Sequence, residues 1–167
     1  QLNKALVKGK VVLKPFADSM LGVADLSAQA LNLAELGDDL PKTNINLQLH
    51  ATENGSGTLH IGNSAAGLYD SGRIPLSDLS LSFMQKDNKF VLDPIVVKLG
   101  STQQAAGSIH GTGQYADGAL NISLKTDALD LKKLDQRMRA TRLMIRLDVN
   151  HADGKQVITL AATCLLY

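Results

Sequence analysis

The side chains of this 167-residue sequence that could do chemistry are four histidines (His50, His60, His110 and His151), one cysteine and sixteen carboxylates. A structural metal site needs His and Cys ligands in close, repeated spacing. Here the histidines are scattered singly and Cys164 has no second Cys, which also excludes an internal disulfide. Ser108-Ile109-His110 sets a nucleophile near a base. It lacks the strand-elbow-helix setting and the small-residue pattern of a serine hydrolase. The carboxylates fall mostly in turn-like segments such as Asp38-Asp39, Asp87 and Asp117, where they cap or terminate elements. No Gly-rich loop leads into a Lys-Ser/Thr helix, so a phosphate cradle is not expected; Gly107, Gly111 and Gly113 instead fall in step with Ile109 and Tyr115 along one strand face. The expectation is a non-catalytic chain without metal or cofactor.

One charge anomaly stands out. Lys132, Lys133, Arg137, Arg139, Arg142 and Arg146 lie in a run with Asp135 as its single acid. Nucleic acid is not expected as a partner, because the aromatic residues that stack on single strands are missing from the run. The run reads as a solvated face, and as a functional alternative Arg139, Arg142 and Arg146 could meet anionic lipid headgroups.

The elements that must position these residues follow from composition and periodicity. Apolar residues make up 44% of the chain and charged ones 20%, a balance that excludes disorder, and the net charge of +1 creates no strong global field. With no Trp, three Phe and three Tyr, the core must be aliphatic and finely divided, which suits repeated thin strands. The longest stretch free of Asp, Glu, Lys and Arg, Leu99 to Ala116, is polar and Gly-rich, not the apolar run a spanning helix needs. The sequence starts at Gln1 with no signal-peptide pattern, and we read it as a piece of something larger, with any anchor outside it.

The dominant period is two, the period of a half-buried strand. Ile45, Leu47, Leu49 and Ala51 alternate with Asn44, Asn46, Gln48 and His50; Asn54-Gly55-Ser56-Gly57 turns the chain, and Leu59 and Ile61 return it. Leu79, Leu81 and Phe83 alternate in the same way, Lys86 to Lys89 make a polar turn, and Phe90 to Leu99 continue, with Pro94 predicting a bulge or an edge. Ser108 to Tyr115 and Leu120, Ile122 and Leu124 form a third hairpin across Asp117-Gly118. Leu143, Ile145, Leu147 and Val149 form a fourth with Val157 to Ala162, across Asp153-Gly154. Helical spacing is confined to Asn32–Leu40 and Asp130–Met138, each predicted as a short helix of roughly two to three turns.

Those two segments head an internal repeat. A shift of 98 residues aligns 30–49 with 128–147, with six identities in twenty positions and three further apolar exchanges. The whole chain, residues 1–167, is therefore expected to be one segment of a repeated sheet protein. Its predicted fold is all-β: an elongated, curved antiparallel sheet with short helical turns between repeated strand units. Such a sheet carries one continuous aliphatic face, which can close as a sandwich or wrap as a solenoid, giving a structural or adhesive module with a closed core, or bend into a trough completed by a ligand. The residues assigned to that face are Ile45, Leu47, Leu49, Leu59, Ile61, Leu79, Leu81, Phe83, Leu120, Ile122, Leu124, Leu143, Ile145 and Leu147.

The run Leu68-Tyr-Asp-Ser-Gly-Arg-Ile-Pro-Leu-Ser-Asp-Leu79 resembles the Gly-Arg-x-Pro-Leu segments of the bacterial TamB family. Ala128-Leu-Asp-Leu-Lys-Lys-Leu with Arg139-Ala-Thr-Arg-Leu143 is similar to a recurring element of the same family, and Ala30-Leu-Asn-Leu-Ala-Glu-Leu to a variant of it. That variant has Pro41 and Asn44 where the Arg residues would be, and Thr163 to Tyr167 depart from the pattern. The similarity covers most of Gly9 to about Val149 and extends to the wider AsmA-like group. The resemblance implies a β-taco, a long U-shaped sheet with an apolar interior, in a periplasmic protein anchored in the inner membrane of Gram-negative bacteria. It implies a role in moving phospholipid between membranes, with acyl chains as partners. It also implies a TamA-like outer-membrane barrel and unfolded outer-membrane client strands as further partners, in autotransporter assembly.

Overall fold

The computed structural model of the chain describes residues 5–13 and 21–167. Ten strands follow one another: β1 (Leu6–Leu13), β2 (Leu21–Leu31), β3 (Ile45–Ala51), β4 (Ser56–Asn63), β5 (Leu76–Lys86), β6 (Lys89–Gly100), β7 (Ala105–Ala116), β8 (Ala119–Thr126), β9 (Thr141–Ala152) and β10 (Lys155–Leu166). They form one antiparallel sheet in the order of the sequence, each strand bonded to its sequence neighbours, with β1 and β10 outermost and unpaired to each other. The fold is thus all-β, as the alternation predicts. Short turns set the registers: Asp87, Asp117 and Asp153 each take positive φ (50–52°) at the head of a tight hairpin.

Register carries the apolar alternation across the whole sheet. One row runs Gly9, Leu26, Leu49, Leu59, Leu81, Ile95, Gly111, Leu124, Leu147, Leu160, one residue from every strand. A parallel row runs Ala24, Ala51, Gly57, Phe83, Leu92, Gly113, Ile122, Val149, Ile158. Neither row would survive a slip of one residue, since that sends every side chain to the other face. Where the chain gains a residue, a bulge restores the phase. At Asp93-Pro94 the partners pass from Leu92 to Ile95 on β6 while β5 advances from Phe83 to Leu81. Pro94 is therefore a bulge inside the sheet, flanked by β5 and β7, rather than an edge. A second bulge lies between Ala28 and Leu31, where Ala30 has φ 54° and its N–H donates to Asn46 Oδ1. Bulges bend strands, and glycines on the apolar face let neighbours lean inward. Gly111 leaves room for Leu124 and Gly57 for Phe83, positions where a Cβ would collide.

Nothing among the described residues forms a second layer. The total accessible surface is 10947 Å², against about 8,000 Å² for a compact monomer of this mass. The densest packing is a small cluster of Ala24, Ala51 and Phe83, with Leu49, Leu81, Phe90 and Leu92 against it and the Phe83 and Phe90 rings stacked at 5.9 Å.

The two predicted helices are not formed. Single 3-10 turns, Leu33–Glu35 and Leu131–Lys133, stand in their place, capped by Asn32 and Asp130 as the sequence suggests. Each turn is instead bound to the strand that follows it. The N–H of Leu33 is taken by Thr43 Oγ1 and that of Leu131 by Thr141 Oγ1, both at 2.9 Å, which ties each turn to the next strand. A third turn of this kind, Tyr69–Ser71, joins β4 to β5 and ends on Gly72 at φ 70°.

Candidate functional site

The sheet presents two chemically distinct faces. All fourteen residues assigned to the aliphatic face lie on the same side, in adjacent rows. Phe83 is buried; Ile45, Leu47, Leu49, Leu59, Ile61, Leu79, Leu81, Leu120, Ile122, Leu124, Leu143, Ile145 and Leu147 are half-buried. A closed core would bury such aliphatic side chains, each worth roughly 1.5–3 kcal/mol on full burial. The face is therefore roofed only by its own neighbours. His151 also projects to this side, at its margin opposite Leu120.

Opposite lies a polar face on which the other three histidines each meet an aspartate that a neighbouring strand brings alongside. His50 Nδ1 contacts Asp25 at 2.7 Å, His60 Nε2 contacts Asp78 at 2.7 Å, and His110 Nε2 contacts Asp127 at 3.0 Å. These pairs are invisible to a search along the chain, because the partners lie 17 to 25 residues apart and only register joins them. Ser108 completes a small cluster: its hydroxyl donates to Asp127 at 2.5 Å and lies 2.9 Å from His110 Nε2. This is not the geometry of a charge relay, which uses both imidazole nitrogens, one toward the carboxylate and one toward the nucleophile. Here a single nitrogen serves both. The Ser108 hydroxyl, and then the His110 ring, hold the Asp127 carboxyl below the usual carboxylate range. Asp148 is lowered similarly by the Ser123 hydroxyl and by Arg146. Among the described residues no three His, Cys, Asp or Glu side chains converge as a metal site.

The basic run is divided by the fold. Asp135 holds Arg137, Asp148 holds Arg146 at 2.9 Å, and Arg139 stays exposed before β9. Arg142 and Arg146 point to the polar face, away from Leu143, Ile145 and Leu147. Arg142 and Arg146 therefore do not line the aliphatic face. Cys164 is exposed on β10, opposite Leu143.

The connections at one end of the sheet also meet. Tyr69 N–H donates to the Leu134 carbonyl at 2.8 Å, Gln136 N–H donates to Asp70 Oδ1 at 3.4 Å, and Lys42 N–H donates to the Gly72 carbonyl at 3.1 Å. The β4–β5 and β8–β9 connections would lie roughly 19 Å apart on a flat sheet of four strand spacings. They reach each other across the end of β6 and β7.

Comparison with known proteins adds no relative: no family model, curated protein or solved structure matches the chain.

Proposed function

We propose that the chain is a segment of a TamB-like periplasmic protein whose aliphatic face shields phospholipid acyl chains from water during their movement between the inner and outer membranes. The observation that carries this reading is the ten-strand apolar row with no covering layer among the described residues. Acyl chains ask for apolar area rather than directed hydrogen bonds, and the face supplies Leu, Ile and Val with few rings. In this reading the protein is anchored in the inner membrane by a segment outside this chain and works with a TamA-like outer-membrane barrel. Apolar strands of unfolded outer-membrane clients are an alternative occupant of the same face, because they present the same aliphatic chemistry.

The test places a photo-crosslinking residue at Leu47, Leu81 or Leu147, with Gln48 and Ser80 on the polar face as controls. The full-length protein is irradiated in cells and the adducts are identified by mass spectrometry. Phospholipid adducts at the three Leu positions and none at the controls are the expected result. Adducts to outer-membrane proteins alone would replace lipid by client strands. Adducts confined to the protein itself would mean that the face is covered internally, and the transport reading would be abandoned.

A further inference from the structure

The polar face at β1–β4 holds a shallow concavity of about 510 Å³, remote in chemistry from the aliphatic face. Two adjacent rows of side chains build its floor. Lys10, Asp25, His50 and Thr58 stand opposite one another in the first; Lys8, Ser27, Gln48 and His60 do so in the second. Strand geometry places these groups on a lattice of roughly 4.8 by 6.8 Å.

Charge in this concavity is out of balance. Elsewhere on the face Lys98 meets Asp78 at 3.7 Å and Arg146 meets Asp148 at 2.9 Å. In the concavity the one carboxylate, Asp25, is engaged by His50. Lys8 and Lys10, both exposed, have no carboxylate within 4 Å among the described residues. Each paired Asp also orients its imidazole, leaving Nε2 of His50 and Nδ1 of His60 for a ligand.

We propose that this concavity binds a phosphorylated sugar. The unmatched lysines meet the phosphate, and Ser27, Gln48 and Thr58 meet hydroxyls, to which they can both donate and accept. The chemistry of the lining selects this class. The lining has no Trp, Tyr or Phe to stack on a neutral sugar ring, so charge must supply much of the affinity. The proposal is independent of what covers the opposite face.

The test is a ¹H–¹⁵N NMR titration of the 167-residue chain with glucose 6-phosphate, glucose, inorganic phosphate and phosphatidylglycerol vesicles as separate probes. Glucose 6-phosphate is expected to shift the amides of Lys8, Lys10, Ser27, Gln48, His50 and Thr58, and to bind more tightly than phosphate or glucose. The double substitution K8Q/K10Q is expected to weaken it roughly tenfold, and T58V by a smaller factor, with spectra that remain folded elsewhere. Inorganic phosphate binding as well as the sugar phosphate would overturn the sugar component. Unchanged affinity in K8Q/K10Q, shifts mapping to another region, or response to vesicles alone would overturn the site.

Discussion

The connection between β2 and β3 and the one between β8 and β9 are built from the same hydrogen bonds, 98 residues apart, yet they are held in the molecule by different means. In the first, Asn32 Oδ1 accepts from the N–H groups of Ala34 and Thr43, and Thr43 Oγ1 accepts from Leu33 N–H and donates to the Leu31 carbonyl. In the second, Asp130 Oδ1 accepts from Lys132 and Thr141 N–H, and Thr141 Oγ1 accepts from Leu131 N–H and donates to the Leu129 carbonyl. The surroundings diverge. The first is entered through the bulge at Ala30, and its approach strand leaves Leu31 half-buried. The second is locked to β7 through Asp127 N–H to the Ser108 carbonyl and Asp130 N–H to the Ala106 carbonyl, and Leu129 is buried. A local device of one cap and one threonine hydroxyl therefore fixes the turn. The packing around it decides how firmly the turn is held.

Four experiments would break or sharpen that contrast, each read by hydrogen exchange of the amides around the affected turn, since a sheet of sequential strands can open region by region. Leu129→Ala should lower the opening free energy of β8 and β9 by about 2–5 kcal/mol. Leu31→Ala should cost the first turn distinctly less; equal costs would erase the difference in packing. Next in size, Thr43→Val and Thr141→Val each remove a hydroxyl that serves one N–H and one carbonyl. Each should cost about 1–3 kcal/mol at its own turn. The two should be additive when combined, because the sites share no partner.

A smaller effect separates the caps. Asp130→Asn keeps the accepting oxygen and should change stability little. Asn32→Asp sets a carboxylate beside Glu35, which Asn32 Nδ2 now contacts at 3.3 Å, and should cost about 0.5 kcal/mol. The reverse order would show that the caps act by charge rather than by geometry. The smallest effect is in pH. Asp127 titrates lower in the folded chain than its ordinary value, so between the two values the unfolded chain binds more protons. Its contribution is present above about pH 4 and is lost as pH falls through the lowered folded value. Asp127→Asn should flatten that acid slope near β7–β8 and leave the first turn unchanged.

Much of this was legible in the residues themselves. Alternation located the strands from β3 to β10, and Pro94 signalled a bulge or an edge in β6, which register resolves as a bulge. The apolar set came out on one face because turns such as Asp117-Gly118 leave little freedom of register. The helices failed for a definable reason. Leu33, Leu36 and Leu40 have helical spacing, but a 3-10 turn brings residues three apart together as well, and the backbone N–H of Thr43, eleven residues on, donates to Asn32 Oδ1 and ties the turn to the next strand. The histidine–aspartate pairs, the charge imbalance at Lys8 and Lys10, and the meeting of Tyr69 with Leu134 depend on which strands lie side by side. They could be read only once register was known.

Strict sequential pairing of the ten strands also has a kinetic meaning. Each strand finds its partner a turn or a short connection away, so forming the sheet never requires closure of a loop spanning the whole chain, the entropic step that slows many all-β folds. Such a sheet can grow by one hairpin at a time and in the direction in which the chain is delivered. A chain emerging from one end can therefore fold progressively, each new strand docking on the one already in place.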